Sequence, residues 1–124
     1  MKNKNLSIAA FLGLIAVVLG AFGAHTLKDK IGIDALNNFE TGVRYQMFHV
    51  MVLLFVNIYI GFSNKVKNTI SLFFFFGILF FSGSLYAISA LGINPKSIWF
   101  ITPLGGLFFV LGWLKLSISF FRGK

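Results

Sequence analysis

HTLKDKIGIDALNNFETGVRYQMFH, residues 25–49, holds both histidines, all three acidic residues and one of the two arginines of a 124-residue chain. The flanks are of opposite character. Residues 6–24 contain one polar side chain, Ser7, in nineteen positions, and three further apolar runs follow His49. A polar island set among runs long enough to cross about 30 Å of hydrocarbon at 1.5 Å per residue decides the fold class.

Composition leads to the same class. The chain is 57% hydrophobic, 18% aromatic and only 11% charged, with a mean hydropathy of +0.87, whereas soluble domains carry about 25% charged residues. The length allows one domain and leaves no room for a separate soluble catalytic unit. The net charge of +8 does not indicate nucleic acid, because the basic residues flank apolar runs instead of forming a patch with interleaved aromatics. Without cysteine there are no disulfides, thiolate chemistry, iron–sulfur clusters or cysteine-bound zinc.

Hydropathy predicts spans over 6–24, 42–62, 69–91 and 98–121, with a short amphipathic surface helix over 33–41 between the first two. The first run exceeds the roughly 7–15 residues of a signal-peptide core, which favours a span over a cleaved leader. Gly13 and Gly20, and Ala16, Gly20 and Ala24, repeat at seven and four, so each set shares a helix face that admits a close neighbour. Asp34 suits a helix N-terminus, and Glu40 and Arg44 stand four apart in the order that favours pairing. Tyr45 and His49 repeat the same spacing on a neighbouring face. The phenylalanine run Phe73–Phe76 reads as lipid-facing bulk and packing. Ser82 and Ser84 are expected to bond back to their own helix, and Pro103 falls in a first turn, where its missing N–H costs little.

With the N-terminus inside, the inner ends carry Lys2, Lys4, Lys65, Lys67, Lys115, Arg122 and Lys124, and the outer ends Lys28, Lys30, Arg44 and Lys96. Seven against four satisfies the positive-inside rule and predicts that both termini are cytoplasmic. His25, Glu40, Arg44, Tyr45, His49, Ser82, Ser84, Tyr86 and Thr102 then share the outer end. They are the candidate polar site or structural cap.

GAFGAH (20–25), FETG (39–42) followed by Tyr45 and His49, FSGSLY (81–86), TPLGG (102–106) and Gly112-Trp113 together resemble the YgdD/YwdK family of small bacterial inner-membrane proteins, a domain of unknown function. The motifs run in order along essentially the whole chain. The resemblance implies a four-helix inner-membrane protein and no particular activity.

Four chemistries compete for the candidate residues. Two histidines invite a haem or a metal, but no further ligands complete a shell, so no cofactor is expected. A serine of the third span with His49 and Glu40 is the sole hydrolase constellation, and no nucleophile motif supports it, so the chain is not expected to be an enzyme. Ionisable groups inside spans usually mark a pathway or a pair, which admits a small-molecule or lipid-head-group binding or transport protein, proton-linked in one version. The remaining and favoured reading is a structural bundle that interacts with lipids or a partner, its outer layer pinning helices together. Membrane lipids and a second copy of the chain, forming a homo-oligomer, are the expected partners; nucleic acid is not.

Overall fold

The computed structural model describes residues 3–123 and is all-α. The order is α1 (Lys4–His25), a 3-10 turn (Leu27–Asp29), α2 (Ile33–Ile58), α3 (Asn64–Gly77), a π-helical turn (Ile78–Ser82), α4 (Gly83–Ser89), a second 3-10 turn (Pro95–Ser97) and α5 (Ile101–Arg122). Because α3, the π turn and α4 follow without a break, the chain forms a membrane bundle of four long rods. Lys2 and Lys124, both counted in the charge asymmetry, lie outside the described residues.

Side chains cap the starts of α1, α3 and the second 3-10 turn. Asn3 accepts from the Leu6 amide at 3.2 Å and Ser63 from the Val66 amide at 3.3 Å, each satisfying one of the amides that a first turn leaves without a partner. Asn94 does the same for Lys96 at 3.0 Å, directly before Pro95. α5 ends at Gly123, whose φ of 70° is the left-handed conformation that terminates helices and suits glycine.

Three rods are long and apolar enough to cross a membrane: Lys4–Asp29, Asn64–Ser89 and Ile101–Arg122. The remaining rod corrects the sequence reading. The expected surface helix at 33–41 and most of the span expected at 42–62 form one continuous 26-residue helix, α2, which ends at Ile58. Hydropathy falls over Asn37, Asn38, Glu40 and Thr41, but none of these residues breaks a helix. The first turns do not lie flat on a surface either. Phe39 is 1% exposed, covered by Gly23 of α1 and by the Tyr86 ring at a centroid distance of 5.2 Å.

α2 is the central rod, packed by α1 on one side and by α3, the π turn and α4 on the other. Its buried residues Phe39, Gly42, Gln46, His49, Val50, Leu53, Val56 and Asn57 recur at helical spacing. Facing it, α1 presents Ala9, Ala16 and Gly23 as buried positions, with Gly13 against Val50 and Gly20 against Val43. The small-residue face is therefore real, except that Gly23 belongs to it and the exposed Ala24 does not.

α5 packs on α3 and the π turn. A Cβ on Gly77 would meet the Phe109 ring at 2.3 Å and one on Gly112 the Phe74 ring at 2.5 Å, so each helix seats its phenylalanine over a glycine of the other. Gly105 lies against backbone, its would-be Cβ 2.2 Å from the Phe81 nitrogen. The phenylalanine run is split by helical geometry: Phe74 is fully buried while Phe76 is exposed. Trp99 and Phe100 project from the loop before α5, the kind of aromatic residue that settles at a membrane interface.

Candidate functional site

The nine candidate residues separate into a buried set and an exposed set. His25, Glu40 and Arg44 are exposed. Among the described residues Glu40 and Arg44 form no ion pair; the Arg44 guanidinium instead donates to the Thr41 hydroxyl at 3.3 Å, and that hydroxyl donates to the Asn37 carbonyl at 2.9 Å. Three residues expected to supply charge to a site thus stand outside it. Each projects from the exposed surface of α1 or α2.

The buried set is a polar layer that stitches helices together. Ser82, fully buried at the C-terminal end of the π turn, donates to the Gly42 carbonyl of α2 at 2.6 Å. The bond crosses to another helix, contrary to the expected bond within its own. Gly42 makes the approach feasible, since a Cβ there would meet the Tyr86 ring at 2.8 Å. Ser84 does bond back, donating to the Phe81 carbonyl at 2.9 Å, and it also pairs with the Thr102 hydroxyl of α5. A serine has one hydroxyl hydrogen, so with that hydrogen on Phe81 the Thr102 hydroxyl is the donor to Ser84.

Tyr86 donates to Gln46 Oε1 at 2.6 Å, and Gln46 Nε2 donates to the Leu12 carbonyl at 2.7 Å. This relay joins α4, α2 and α1 through a glutamine that is 2% exposed. Tyr45 is partly exposed and packs its ring near Phe81 at 4.9 Å, contributing through its backbone as well. The Tyr45 carbonyl accepts from His49 Nδ1 at 2.7 Å, while His49 Nε2 faces the Trp113 indole N–H at 3.0 Å. A carbonyl can only accept and an indole can only donate, which fixes the neutral tautomer with hydrogen on Nδ1. The His49 ring stacks on Phe109 at 3.7 Å and 7°. Both of its nitrogens are thus occupied, and neither serine hydroxyl bonds to it. Among the described residues no cluster of three or more histidine or acidic side chains could hold a metal.

Gln46 and Trp113 complete the layer and were not among the expected site residues. Gln46 could have been found from its place on the 39, 42, 46, 49 stripe. Trp113 could not, because its contact partner lies 64 residues away. A second polar cluster, also missed, sits at the opposite end of the bundle. Asn57, 4% exposed, donates to the Leu53 carbonyl and the Ser71 hydroxyl, both at 2.8 Å, and its oxygen accepts from Asn5 at 3.0 Å. Asn5 also donates to Asn68 Oδ1 at 2.8 Å.

Residues 19–106 match the family described as protein of unknown function (DUF423). The chain is 41% identical over its whole length to a UPF0382 membrane protein of Haemophilus influenzae, covering 98% of that protein. It is 41% identical to a UPF0382 membrane protein of Staphylococcus saprophyticus, over 93% of this chain and 94% of the relative. To the UPF0382 inner membrane protein YgdD of Escherichia coli K12 it is 35% identical, over 96% of this chain and 90% of the relative. No solved structure matches.

Proposed function

This chain belongs to the DUF423 family of membrane proteins, and on that premise we propose that it is a non-enzymatic structural bundle of the bacterial inner membrane, in contact with lipids, whose outer polar layer closes the fold. One observation carries the reading. No buried side-chain nitrogen or oxygen among the described residues lacks a hydrogen-bond partner. A ligand site built from the same groups would hold donors or acceptors in reserve, whereas Gln46, Ser82, Ser84, Tyr86 and His49 bond to one another's helices.

The remaining features fit four crossings. α2, at 26 residues and about 39 Å, exceeds the hydrocarbon thickness. Polar residues in a crossing helix are tolerated when they face protein, and its stripe from Gln46 to Asn57 is covered by α1, α3 and α4. The name of the Escherichia coli relative supports an inner membrane, and the distribution of lysine and arginine supports cytoplasmic termini.

Melting curves combined with native mass spectrometry test the structural role. Ser82→Ala and Tyr86→Phe are expected to lower the melting temperature without removing any bound mass. A molecule lost from Ser82→Ala at unchanged stability overturns the reading and makes the layer a binding site.

A further inference from the structure

α1 packs along α2 but stands apart from α3 and α4, and the gap is chemically graded from end to end. At the end near the termini it widens to a polar cavity of about 490 Å³ whose walls include Lys4, Asn5, Asn64, Lys67, Asn68 and Leu72. All three acidic side chains, Asp29, Asp34 and Glu40, lie toward the opposite end of the bundle, so no acidic side chain stands beside the two lysines. Because Asn5 holds the Asn68 oxygen, the group left on that side chain is its NH2 donor.

Further along the same gap lies a mostly apolar groove of about 420 Å³, walled by Ile8, Leu12 and Ile15 on one side and Phe75, Ile78 and Leu79 on the other, with Gln46 and Tyr86 completing its lining. The two spaces are continuous in register. Asn5, Ile8, Leu12 and Ile15 fall at i, i+3, i+7 and i+10 on α1, and Asn68, Leu72, Phe75 and Leu79 at i, i+4, i+7 and i+11 on the opposing rod, so each set forms one stripe. The Asn5 to Asn68 bond aligns the stripes at the polar end. From Ile8 to Ile15 the groove runs about 10 Å at 1.5 Å per residue, and with Asn5 the stripe on α1 spans about 15 Å, half of a hydrocarbon core of about 30 Å.

We infer that this gap is a binding site for one anionic glycerophospholipid. The phosphate sits in the cavity against Lys4, Lys67 and the Asn64 and Asn68 amides, and an acyl chain lies along the groove within a single leaflet. Charge sets the head-group preference, and the length of the apolar stripe matches the tail. The head-group cavity lies at the opposite end of the bundle from Ser82, Ser84 and Thr102, the groove reaches Gln46 and Tyr86 of the polar layer, and lipid held there bridges two rods that make little direct contact.

Native mass spectrometry of the full chain, released from a neutral detergent with added dioleoylphosphatidylglycerol, dioleoylphosphatidylcholine or inorganic phosphate, tests the site. Retention of one phosphatidylglycerol in preference to phosphatidylcholine is expected, with no displacement by millimolar phosphate. K4Q/K67Q should weaken retention roughly thirtyfold, from about 1 kcal/mol per lysine near an anionic head group. I8W, which fills the groove from a partly exposed position, should weaken it as well, with melting temperatures of both variants close to that of the parent. Equal retention in K4Q/K67Q overturns the head-group site. Displacement by inorganic phosphate with no effect of I8W overturns the lipid assignment in favour of a free-anion site. Loss of phosphatidylglycerol from Ser82→Ala instead of K4Q/K67Q would locate the lipid in the outer layer and refute the proposal.

Discussion

Tyr86 and Gln46 lie on different rods and meet through a 2.6 Å hydrogen bond, and Gln46 also grips the Leu12 carbonyl. Tyr86→Phe strips the donor and leaves a buried amide oxygen without a partner. Orphaning a buried acceptor costs about 1–3 kcal/mol in general, and inter-helix hydrogen bonds in membranes average nearer 0.6 kcal/mol, with a maximum of about 1.7. We expect a loss of about 1 kcal/mol for Tyr86→Phe. In a double-mutant cycle with Gln46→Leu, read by denaturant unfolding in micelles, the two effects should be non-additive. Strict additivity would mean that the bond contributes nothing.

Gly105 and Gly106 are adjacent, yet they should respond oppositely to alanine. A methyl at Gly105 would lie 2.2 Å from the Phe81 backbone nitrogen, and backbone cannot rotate aside, so α5 must shift away from the π turn. Overpacking of this kind costs about 1–3 kcal/mol. Gly106 has nothing within 4 Å of the same position, and alanine is the better helix former by up to about 1 kcal/mol. Gly105→Ala should therefore melt well below the parent and Gly106→Ala at or above it; equal melting temperatures would remove the tight α5 contact from the account.

The membrane class, the four rods and the glycine-lined helix faces were legible because hydropathy and small-residue spacing report directly on lipid and on close approach. The boundary within α2 was not. Hydropathy over residues 33–41 measures wetness, whereas helix continuity depends on backbone propensity, and Phe39 is buried there by partners from α1 and α4 that no local pattern reveals. The site was half legible for the same reason. Ser82, Ser84, Tyr86, His49 and Thr102 do converge, but the charged residues expected with them are exposed, and Gln46 and Trp113 join through contacts 34 to 64 residues apart.

Exposure separates the two halves of the candidate set in a direct test. Arg44 and Glu40 are exposed and Arg44 bonds only to Thr41, so Arg44→Ala and Glu40→Ala should each change stability by no more than about 0.5 kcal/mol. Ser82→Ala removes a fully buried donor from the Gly42 carbonyl and should cost about 1 kcal/mol. Thermal melting of the three variants under one detergent condition decides the order. A collapse of Arg44→Ala would return the charged residues to the structural layer.

Trp113 is the one indole that reaches into the layer, since Trp99 stands in the loop before α5 with 72% of its surface exposed. In a Trp99→Phe background, tryptophan fluorescence therefore reports Trp113 alone. His49→Phe keeps a ring to stack on Phe109 but removes the acceptor of the indole N–H, so the emission maximum should shift while helicity stays constant. An unchanged spectrum would show that the 3.0 Å bond does not form in the membrane.

Orientation is testable without background, because the chain has no cysteine. Lys65 and Lys67 lie at the same end as Lys4 and Arg122, and Lys96 precedes α5 at the other. If the more basic end faces the cytoplasm, a membrane-impermeant maleimide should label Lys96→Cys in intact cells and Lys65→Cys only after permeabilisation. The asymmetry is modest, and it relies in part on Lys115, which is seven residues, or about 10 Å, short of Arg122 and must extend its side chain to reach the same interface. Replacing Lys65 and Lys67 together with glutamine should therefore erode the preference and give mixed labelling at position 96. Labelling of Lys65→Cys in intact cells would invert the topology, while the internal packing of the rods would stand unchanged.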